Sequence, residues 1–170
     1  MMKKLFFLVA MLAGNMLAGN AQSLEVYVSD TDGPYTNVRK APKGTVVARL
    51  STSDPVMFAV ESPKDGWWKI SGGTYWIPDE DEVTLKGSTT GYWVHSSVLA
   101  LGTRNYGGQR LTLRQSPADG SKAVYSFSKE IEVRPLDLKG DWVKVKTMDG
   151  KHVGWIEAEW LCGNALTNCC

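Results

Sequence analysis

From residue 22 onward, apolar and polar residues alternate in short runs, with the period expected of β-strands. Runs rich in Val, Ile, Tyr and Trp are separated by clusters of Gly, Pro, Asp and Ser, as in strands joined by turns. Strands are predicted over residues 24–28, 46–50, 55–60, 123–127 and 131–138. Asp149-Gly150 predicts a tight hairpin, in which both residues supply positive φ angles. No segment keeps a helical period beyond single turns predicted at 96–99 and 158–161, so the fold class is all-β.

The first 21 residues have the order of a secretory signal peptide. Lys3 and Lys4 precede an apolar run over residues 5–12, and small residues follow up to Ala21, after which we predict cleavage. An uncleaved anchor is the alternative, but the run is short for a bilayer span, and no later segment reaches 18 apolar residues. We therefore expect a mature protein without a membrane span, either periplasmic or secreted.

The charge pattern argues against a nucleic-acid partner. The chain has 19 Lys and Arg residues against 18 Asp and Glu, and loss of the two signal-peptide lysines leaves 17 basic residues. These are spread along the sequence without a cluster, whereas neutralising phosphates requires grouped cations.

The most informative feature is an internal repeat. Three blocks occur twice in the same order: residues 37–42 and 112–117, residues 67–70 and 142–145, and residues 91–99 and 154–161. The first two blocks are separated from their second copies by 75 residues, and Trp93 and Trp155 in the third are separated by 62. The difference indicates a 13-residue insertion in the first copy, between Ile70 and Gly91. Ordered blocks of this kind predict one fold occurring twice.

The repeat divides the mature chain into two predicted domains. The first covers residues 22–101 and carries the insertion at about 71–90, and the second covers residues 102–170. The segment between them, Gly102 to Gly108, is too short to be a long flexible tether. Each domain is close to the lower size limit for an independent core, so we expect the two to pack on each other.

The repeated blocks resemble the bacterial SH3 (SH3b) domain family. The first copy carries the resemblance in Asn37-Val38-Arg39 with Pro42, Gly66-Trp67-Trp68-Lys69-Ile70, and Tyr92-Trp93-Val94 ending in Val98-Leu99. The second carries it in Leu113-Arg114 with Pro117, Trp142-Val143-Lys144-Val145, and Gly154-Trp155-Ile156 ending in Trp160-Leu161. The first copy departs from the pattern at Val98, where the family usually has Tyr. The resemblance implies two tandem SH3-like small barrels, and such domains often accompany cell-wall hydrolases as modules that engage peptidoglycan.

Aromatic residues provide the candidate binding site. Seven tryptophans exceed what two small cores can hide, and we expect Trp93 and Trp155 to be core residues. We predict a ligand groove in the first copy lined by Tyr35, Trp68, Tyr75 and Trp76, since aromatic faces suit sugar rings and extended peptides. The alternative is that Tyr75 and Trp76 pack against the second domain.

The three cysteines all lie in the last nine residues. Export would place them in an oxidising compartment, and we predict a Cys162–Cys169 disulfide, with Cys162–Cys170 as the alternative pairing. The remaining thiol, Cys170, is then available for a dimer through an intermolecular disulfide. Histidine at zinc-ligand spacing is missing nearby, so no metal site is predicted.

The sequence favours binding without catalysis. The two histidines, His95 and His152, are expected at ordinary surface positions, and no serine-hydrolase motif is present. We expect no cofactor and no enzymatic activity. The favoured ligand is peptidoglycan or a wall-derived peptide; the alternative is an envelope protein, with this chain as an interaction, scaffold or inhibitor module. A hydrolase with an unrecognised site is a third, less favoured interpretation.

Overall fold

In the computed structural model, which describes residues 22–80 and 82–167, the alternating sequence forms strands and short 3-10 turns, with no α-helix in that part of the chain. The predicted all-β class is therefore confirmed. The helical turns predicted at 96–99 and 158–161 are 3-10 turns at Ser96–Val98 and Ala158–Trp160. The signal peptide, Cys169 and Cys170 lie outside the described residues.

The strands fall into two groups. The first group contains β1 (Leu24–Val28), β2 (Tyr35–Arg39), β3 (Val46–Ser51), β4 (Met57–Lys64), β5 (Trp67–Ile70), β6 (Thr74–Tyr75), β7 (Val83–Thr84) and β8 (Trp93–His95). The second contains β9 (Leu99–Thr103), β10 (Leu111–Arg114), β11 (Ala123–Phe127), β12 (Glu132–Lys139), β13 (Trp142–Thr147), β14 (Val153–Glu157) and β15 (Leu161–Cys162). We call β1 to β8, with the beginning of β9, the first unit, and β9 to β15 the second unit.

Hydrogen bonds join the strands into one continuous antiparallel order. It runs β11-β10-β14-β13-β12-β9-β1-β4-β5-β8-β2-β3, and β15 pairs with β9 beside this path. The outermost strands are thus β11 at one end and β3 at the other. The predicted hairpin joins β13 to β14, but only Gly150 of its central pair has a positive φ, of 75°. The prediction of a positive φ at Asp149 was wrong, because a single left-handed glycine closes this turn.

The internal repeat of the sequence reappears in the strand pairings. β1 and β4 begin 75 residues before β9 and β12, respectively. The register is kept as well, since Phe58 pairs with Val26 and Val133 pairs with Leu101. A bulge interrupts the pairing just before Arg39 in β2 and just before Arg114 in β10. The two units therefore use one strand arrangement.

The core lies on the inward-facing positions of both units. Its fully buried side chains include Val26, Val38, Phe58, Val60, Trp68, Ile70 and Val94 in the first unit, and Leu101, Leu113, Val133, Val143 and Val145 in the second. Every second residue of β5 and β13 contributes to it, as the pleat of a strand requires. The remaining positions on these strands form the outer faces, which carry the candidate site.

One strand, β9, joins the two units without a linker. Leu99 and Ala100 pair with β1 on one side, and Leu101 and Gly102 pair with β12 on the other. The predicted domain boundary between residues 101 and 102 falls inside this strand. The side chain of Arg134, from β12, donates a hydrogen bond to the carbonyl oxygen of Leu99 at 2.9 Å. The units are consequently fixed to each other by backbone and side-chain hydrogen bonds.

Between β5 and β8 the first unit carries a segment without a counterpart in the second unit. It contains the two-residue strands β6 and β7, which pair with each other. Trp76 is anchored to β4 by two backbone hydrogen bonds with Met57, of 2.7 and 2.9 Å. The residues of the insertion predicted at about 71–90 lie in this segment.

Candidate binding grooves

A surface groove opens on the outer face of the first unit, which we call groove one. It is lined by Asp30, Asp32, Tyr35, Asn37, Arg39, Trp67, His95, Ser97 and Val98. Strand β2 supplies three of these side chains because Tyr35, Asn37 and Arg39 alternate with the inward-facing Thr36 and Val38. Its volume is about 430 Å³, which falls within the range of small-molecule sites.

Trp67 forms the aromatic floor of groove one. The residue is only 9% exposed. Neighbouring side chains cover it, and the His95 ring meets its indole edge-on, with centroids 5.0 Å apart. The Arg39 guanidinium carbon lies 5.9 Å from the indole centroid, within cation–π distance. Arg39 also donates a hydrogen bond from Nη1 to the carbonyl oxygen of Gly44 at 2.8 Å. Arg39 therefore secures the β2–β3 loop and places a positive charge beside the aromatic floor.

His95 positions the short turn that closes one side of the groove. Its Nδ1 accepts a hydrogen bond from the backbone N–H of Ser97 at 3.2 Å, and the Ser97 hydroxyl lies 2.8 Å from the same nitrogen. Burial lowers the pKa of His95 below its usual value, and the positive charge of Lys146 lowers it further. The imidazole is thus neutral at pH 7 and free to act as the acceptor that this turn requires.

Acidic groups also line groove one. The carboxylate of Asp30 accepts hydrogen bonds from the Asp32 backbone N–H at 3.1 Å and from the Thr36 hydroxyl at 2.7 Å. These bonds hold the loop that leads into β2 and carries Tyr35, whose side chain is 55% exposed. Groove one thus offers aromatic surface, one guanidinium and two carboxylates to a ligand.

The second unit has a groove at the corresponding place, which we call groove two. It is lined by Gln109, Arg110, Leu111, Thr112, Arg114, Asp119, Trp142, Ile156, Glu157 and Trp160. Six of the nine residues of groove one have their repeat equivalents here, namely Tyr35/Arg110, Asn37/Thr112, Arg39/Arg114, Trp67/Trp142, His95/Glu157 and Val98/Trp160. Its volume, about 180 Å³, is smaller, so the two grooves share a frame but differ in the space that they offer.

Groove two shares part of its chemistry with groove one. Arg114 donates from Nη1 to the carbonyl oxygen of Ser121 at 2.9 Å, as Arg39 does to Gly44. The Trp160 indole donates to the Glu157 carboxylate at 3.3 Å. Burial raises the pKa of Glu157, and a hydrogen bond with Asp119 raises it further. Groove two therefore also combines tryptophan, an anchored arginine and two carboxyl groups.

The residues predicted to form one groove lie in three different places. Tyr35 lines groove one. Trp76, 37% exposed, lines a separate cavity of about 240 Å³ with Met57, Phe58 and Asn164. Tyr75 lies half-buried in β6 and packs against the core.

The prediction for Trp68 was wrong. This residue was predicted to line the groove, but its side chain is fully buried and its indole N–H donates to Ser96 Oγ at 3.1 Å and to the Pro135 carbonyl oxygen at 3.2 Å. Trp68 occupies an inward position of β5, and Trp67 faces the groove instead. The second unit carried the missed signal: Val143 and Val145, at the equivalents of Trp68 and Ile70, already mark the inward positions.

Trp93 and Trp155 were expected in the core. Trp155 is 9% exposed, but Trp93 is half-buried, and the core positions of their strands are held by Val94 and Ile156. His95 and His152 are both half-buried, and the ring of His152 stacks on Tyr125 with centroids 3.8 Å apart.

Cys162 is buried at the end of β15, with Sγ 3.5 Å from the carbonyl oxygens of Asn164 and Thr167. Its pairing with Cys169 stays a prediction.

Within the described ranges, no three His, Cys, Asp or Glu side chains are grouped as metal ligands. No helix in that part of the chain is long and apolar enough to cross a membrane.

The segment of the sequence that forms groove two matches a known sequence family. Residues 109–161 match the model of the bacterial SH3 domain family. This SH3 segment extends from the residue that opens groove two to the first residue of β15, so it contains every residue that lines groove two.

Two solved structures are similar to the chain at low identity. The structures of NlpC1 and NlpC2 from Trichomonas vaginalis are each 10% identical to it, with TM-scores of 0.33 and 0.31. The alignments cover 85% and 83% of this chain, and 47% and 48% of those proteins. The chain thus spans about half the length of these structures. No curated protein matches the sequence.

Proposed function

We propose that this protein is a non-catalytic binding module of the bacterial cell envelope, and that its grooves bind peptide segments of peptidoglycan. The observation that carries the proposal is the common content of the two grooves, one of which lies within the SH3 segment. Each groove combines a tryptophan, an arginine tied to a loop carbonyl and two carboxyl groups. The predicted signal peptide supports a periplasmic or secreted location.

The charges of the grooves favour a ligand with both amino and carboxyl groups. The anchored arginines, Arg39 and Arg114, suit ligand carboxylates. The carboxyl pairs, Asp30 with Asp32 and Asp119 with Glu157, suit ammonium groups. Wall peptides carry both kinds of group. An open groove accommodates their extended backbone better than a deep pocket would.

The absence of catalysis is part of the proposal. In groove one, Ser97 lies next to His95, as a nucleophile would lie next to its base. This contact is explained by the turn that His95 caps, and the equivalents in the second unit are Glu159 and Glu157. The two grooves therefore share no nucleophile, and a reaction catalysed by both of them is not expected.

Sedimentation with purified, insoluble peptidoglycan tests the proposal. We expect the mature protein to sediment with the wall and to release no soluble fragments from it. Tyr35→Ala should weaken binding about five- to tenfold, because an aromatic contact contributes on the order of 1 kcal/mol. Trp76→Ala, which changes an exposed aromatic outside both grooves, is the matched control. Failure of the wild-type protein to sediment, or loss of binding only in Trp76→Ala, contradicts the proposal.

The second candidate is an interaction module for an envelope protein, and the outer edge of the second unit favours it. Strand β11 ends the strand order, and Val124 in β11 and Val153 in β14 are 43% and 42% exposed. An exposed edge with apolar side chains can accept a strand from a partner. Capture of a single envelope protein by the wild type, lost in Val124→Glu and retained in Tyr35→Ala, would support this candidate over wall binding.

A further inference from the structure

We infer that the two grooves bind two peptide segments of the same polymer at once, so that the protein is a bivalent ligand of the wall network. The inference rests on the proposed function, and goes beyond it by assigning a role to the second groove and to the junction between the units. Its starting point is the equivalence of six lining positions in the two grooves. Two of the six pairs, Arg39/Arg114 and Trp67/Trp142, keep the same side chain, and a polymer of repeating units presents the same ligand groups to both grooves.

The charges of the grooves agree with one ligand class. In each groove the arginine at the strand bulge donates to a loop carbonyl, at 2.8 Å from Arg39 and 2.9 Å from Arg114. Each guanidinium is thereby held beside its groove, with two carboxyl groups on the groove lining. Both grooves therefore combine cationic and acidic groups, with one arginine in groove one, and with two, Arg110 and Arg114, in groove two. This combination complements a zwitterionic peptide.

The junction fixes the grooves relative to each other. Strand β9 pairs with β1 and with β12 at adjacent residues, so no flexible linker separates the units. Side chains reinforce this contact: the Tyr27 hydroxyl donates to the Glu132 carboxylate at 2.6 Å, and Arg134 donates to Leu99 at 2.9 Å. When one groove is occupied, the other is held near neighbouring peptides of the same polymer, which raises its effective ligand concentration.

Equivalent positions in the grooves differ at the rim. Tyr35 of groove one is replaced by Arg110 in groove two, and Val98 is replaced by Trp160. The two grooves therefore share a ligand class without having equal affinity. Bivalent binding does not require equal sites, because avidity arises from joining them.

The test compares soluble and insoluble ligands. Asn37→Trp blocks groove one and Thr112→Trp blocks groove two, at equivalent strand positions. The control is Leu166→Trp, which adds the same side chain at an exposed site outside both grooves. Thermal unfolding checks that each variant is folded. Tyr35→Ala and Arg110→Ala, at equivalent exposed rim positions, form a second pair that does not depend on added bulk.

For a soluble, monomeric wall peptide, we expect each blocked variant to lose one of two sites and to keep the affinity of the other. For insoluble peptidoglycan, either block should lower the apparent affinity about 100-fold or more, which is the range of avidity effects, while Leu166→Trp behaves as the wild type. A loss of no more than twofold for both single blocks would overturn the inference and leave the proposed function intact. Loss of soluble-peptide binding through one block alone would also overturn it. No wild-type binding to either ligand would instead refute the proposed function.

Discussion

The indole nitrogen of Trp68, in the first unit, donates a hydrogen bond to the carbonyl oxygen of Pro135, in the second unit, at 3.2 Å. The side chain is fully buried, and it also donates to Ser96 Oγ. One residue therefore fills the core of the first unit and satisfies a backbone carbonyl of the second. The contact joins the stability of the two units.

Replacing Trp68 should destabilise both units together. Trp68→Ala removes a large buried side chain, which costs about 3–5 kcal/mol. Trp68→Phe keeps most of the volume but leaves the Pro135 carbonyl without this donor, at a cost of about 1–3 kcal/mol. Urea unfolding followed by circular dichroism measures both values. A separate early transition for the first unit alone would contradict the coupling.

Trp68 also shows how far the sequence could predict this protein. The all-β class and the strand positions followed from alternation, since apolar residues at every second position must share one face. The orientation of Trp67 and Trp68 did not follow from β5 alone, where both neighbours are tryptophan. The equivalent strand β13 resolves it, because Val143 and Val145 are apolar and Lys144 between them is not.

Other features could not be read from the sequence in advance. The role of β9 depends on hydrogen bonds to two strands that lie far apart in the chain. The grooves depend on side chains from distant elements, such as Arg39 from β2 and His95 from β8, meeting over Trp67. Alternation shows which face a residue occupies, but it does not show which faces are brought together.

The Tyr27–Glu132 hydrogen bond predicts a loss of stability at alkaline pH. Burial, followed by the hydrogen bond to Glu132 and its negative charge, raises the pKa of Tyr27 well above its usual value near 10. The folded protein thus keeps the tyrosine proton, which the unfolded chain releases above pH 10. This contribution to stability is present below pH 10 and is lost as the pH rises, by on the order of 1 kcal/mol between pH 10 and 11.

Urea unfolding of the wild type and of Tyr27→Phe at pH 8 and at pH 11 measures this effect. The variant should lose less stability than the wild type between the two values. Equal losses would show that the Tyr27 hydroxyl does not carry the alkaline dependence.

His95 predicts a change on the acidic side. Its pKa is lowered in the folded state by burial and by Lys146, so the unfolded chain takes up a proton at a higher pH than the folded protein does. Stability is therefore complete above about pH 6.5 and declines as the pH falls. Protonation also removes the acceptor of the Ser97 N–H, so ligand binding in groove one should weaken over the same range.

An NMR titration of the His95 ring measures its pKa, which we expect below that of a histidine in an unfolded peptide. His95→Gln should remove this part of the acid dependence of stability, while His152→Gln serves as the control in the second unit. A His95 pKa at or above the unfolded value would contradict the prediction.

The predicted Cys162–Cys169 disulfide can be tested on the exported protein. Peptide mapping without reductant should yield a fragment that joins the segments around these residues, and Cys170→Ser should leave that fragment unchanged. The same variant should abolish any disulfide-linked dimer on a non-reducing gel. A fragment that joins Cys162 to Cys170 would establish the alternative pairing.

Gly163 predicts a strict requirement for glycine after β15. A Cβ atom at this position would collide with the backbone carbonyl of Glu25 in β1, because the C-terminal segment passes directly over the first unit. The obstacle is backbone, which cannot turn away as a side chain can, so Gly163→Ala must displace the segment. We expect a destabilisation of about 1–3 kcal/mol and an altered cavity beside Trp76, which Gly163 helps to line.

Gly120→Ala is the matched control for this variant, because a Cβ at residue 120 would meet no atom within 4 Å. Thermal unfolding measures the stability of both variants, and the intrinsic fluorescence of Trp76, referenced to Trp76→Phe, reports on the cavity. Gly120→Ala should unfold close to the wild-type temperature, whereas Gly163→Ala should unfold several degrees lower. Equal melting temperatures for the two variants would show that the C-terminal segment does not pack on β1 in solution, because the close contact with the Glu25 backbone is what makes a Cβ at residue 163 unfavourable.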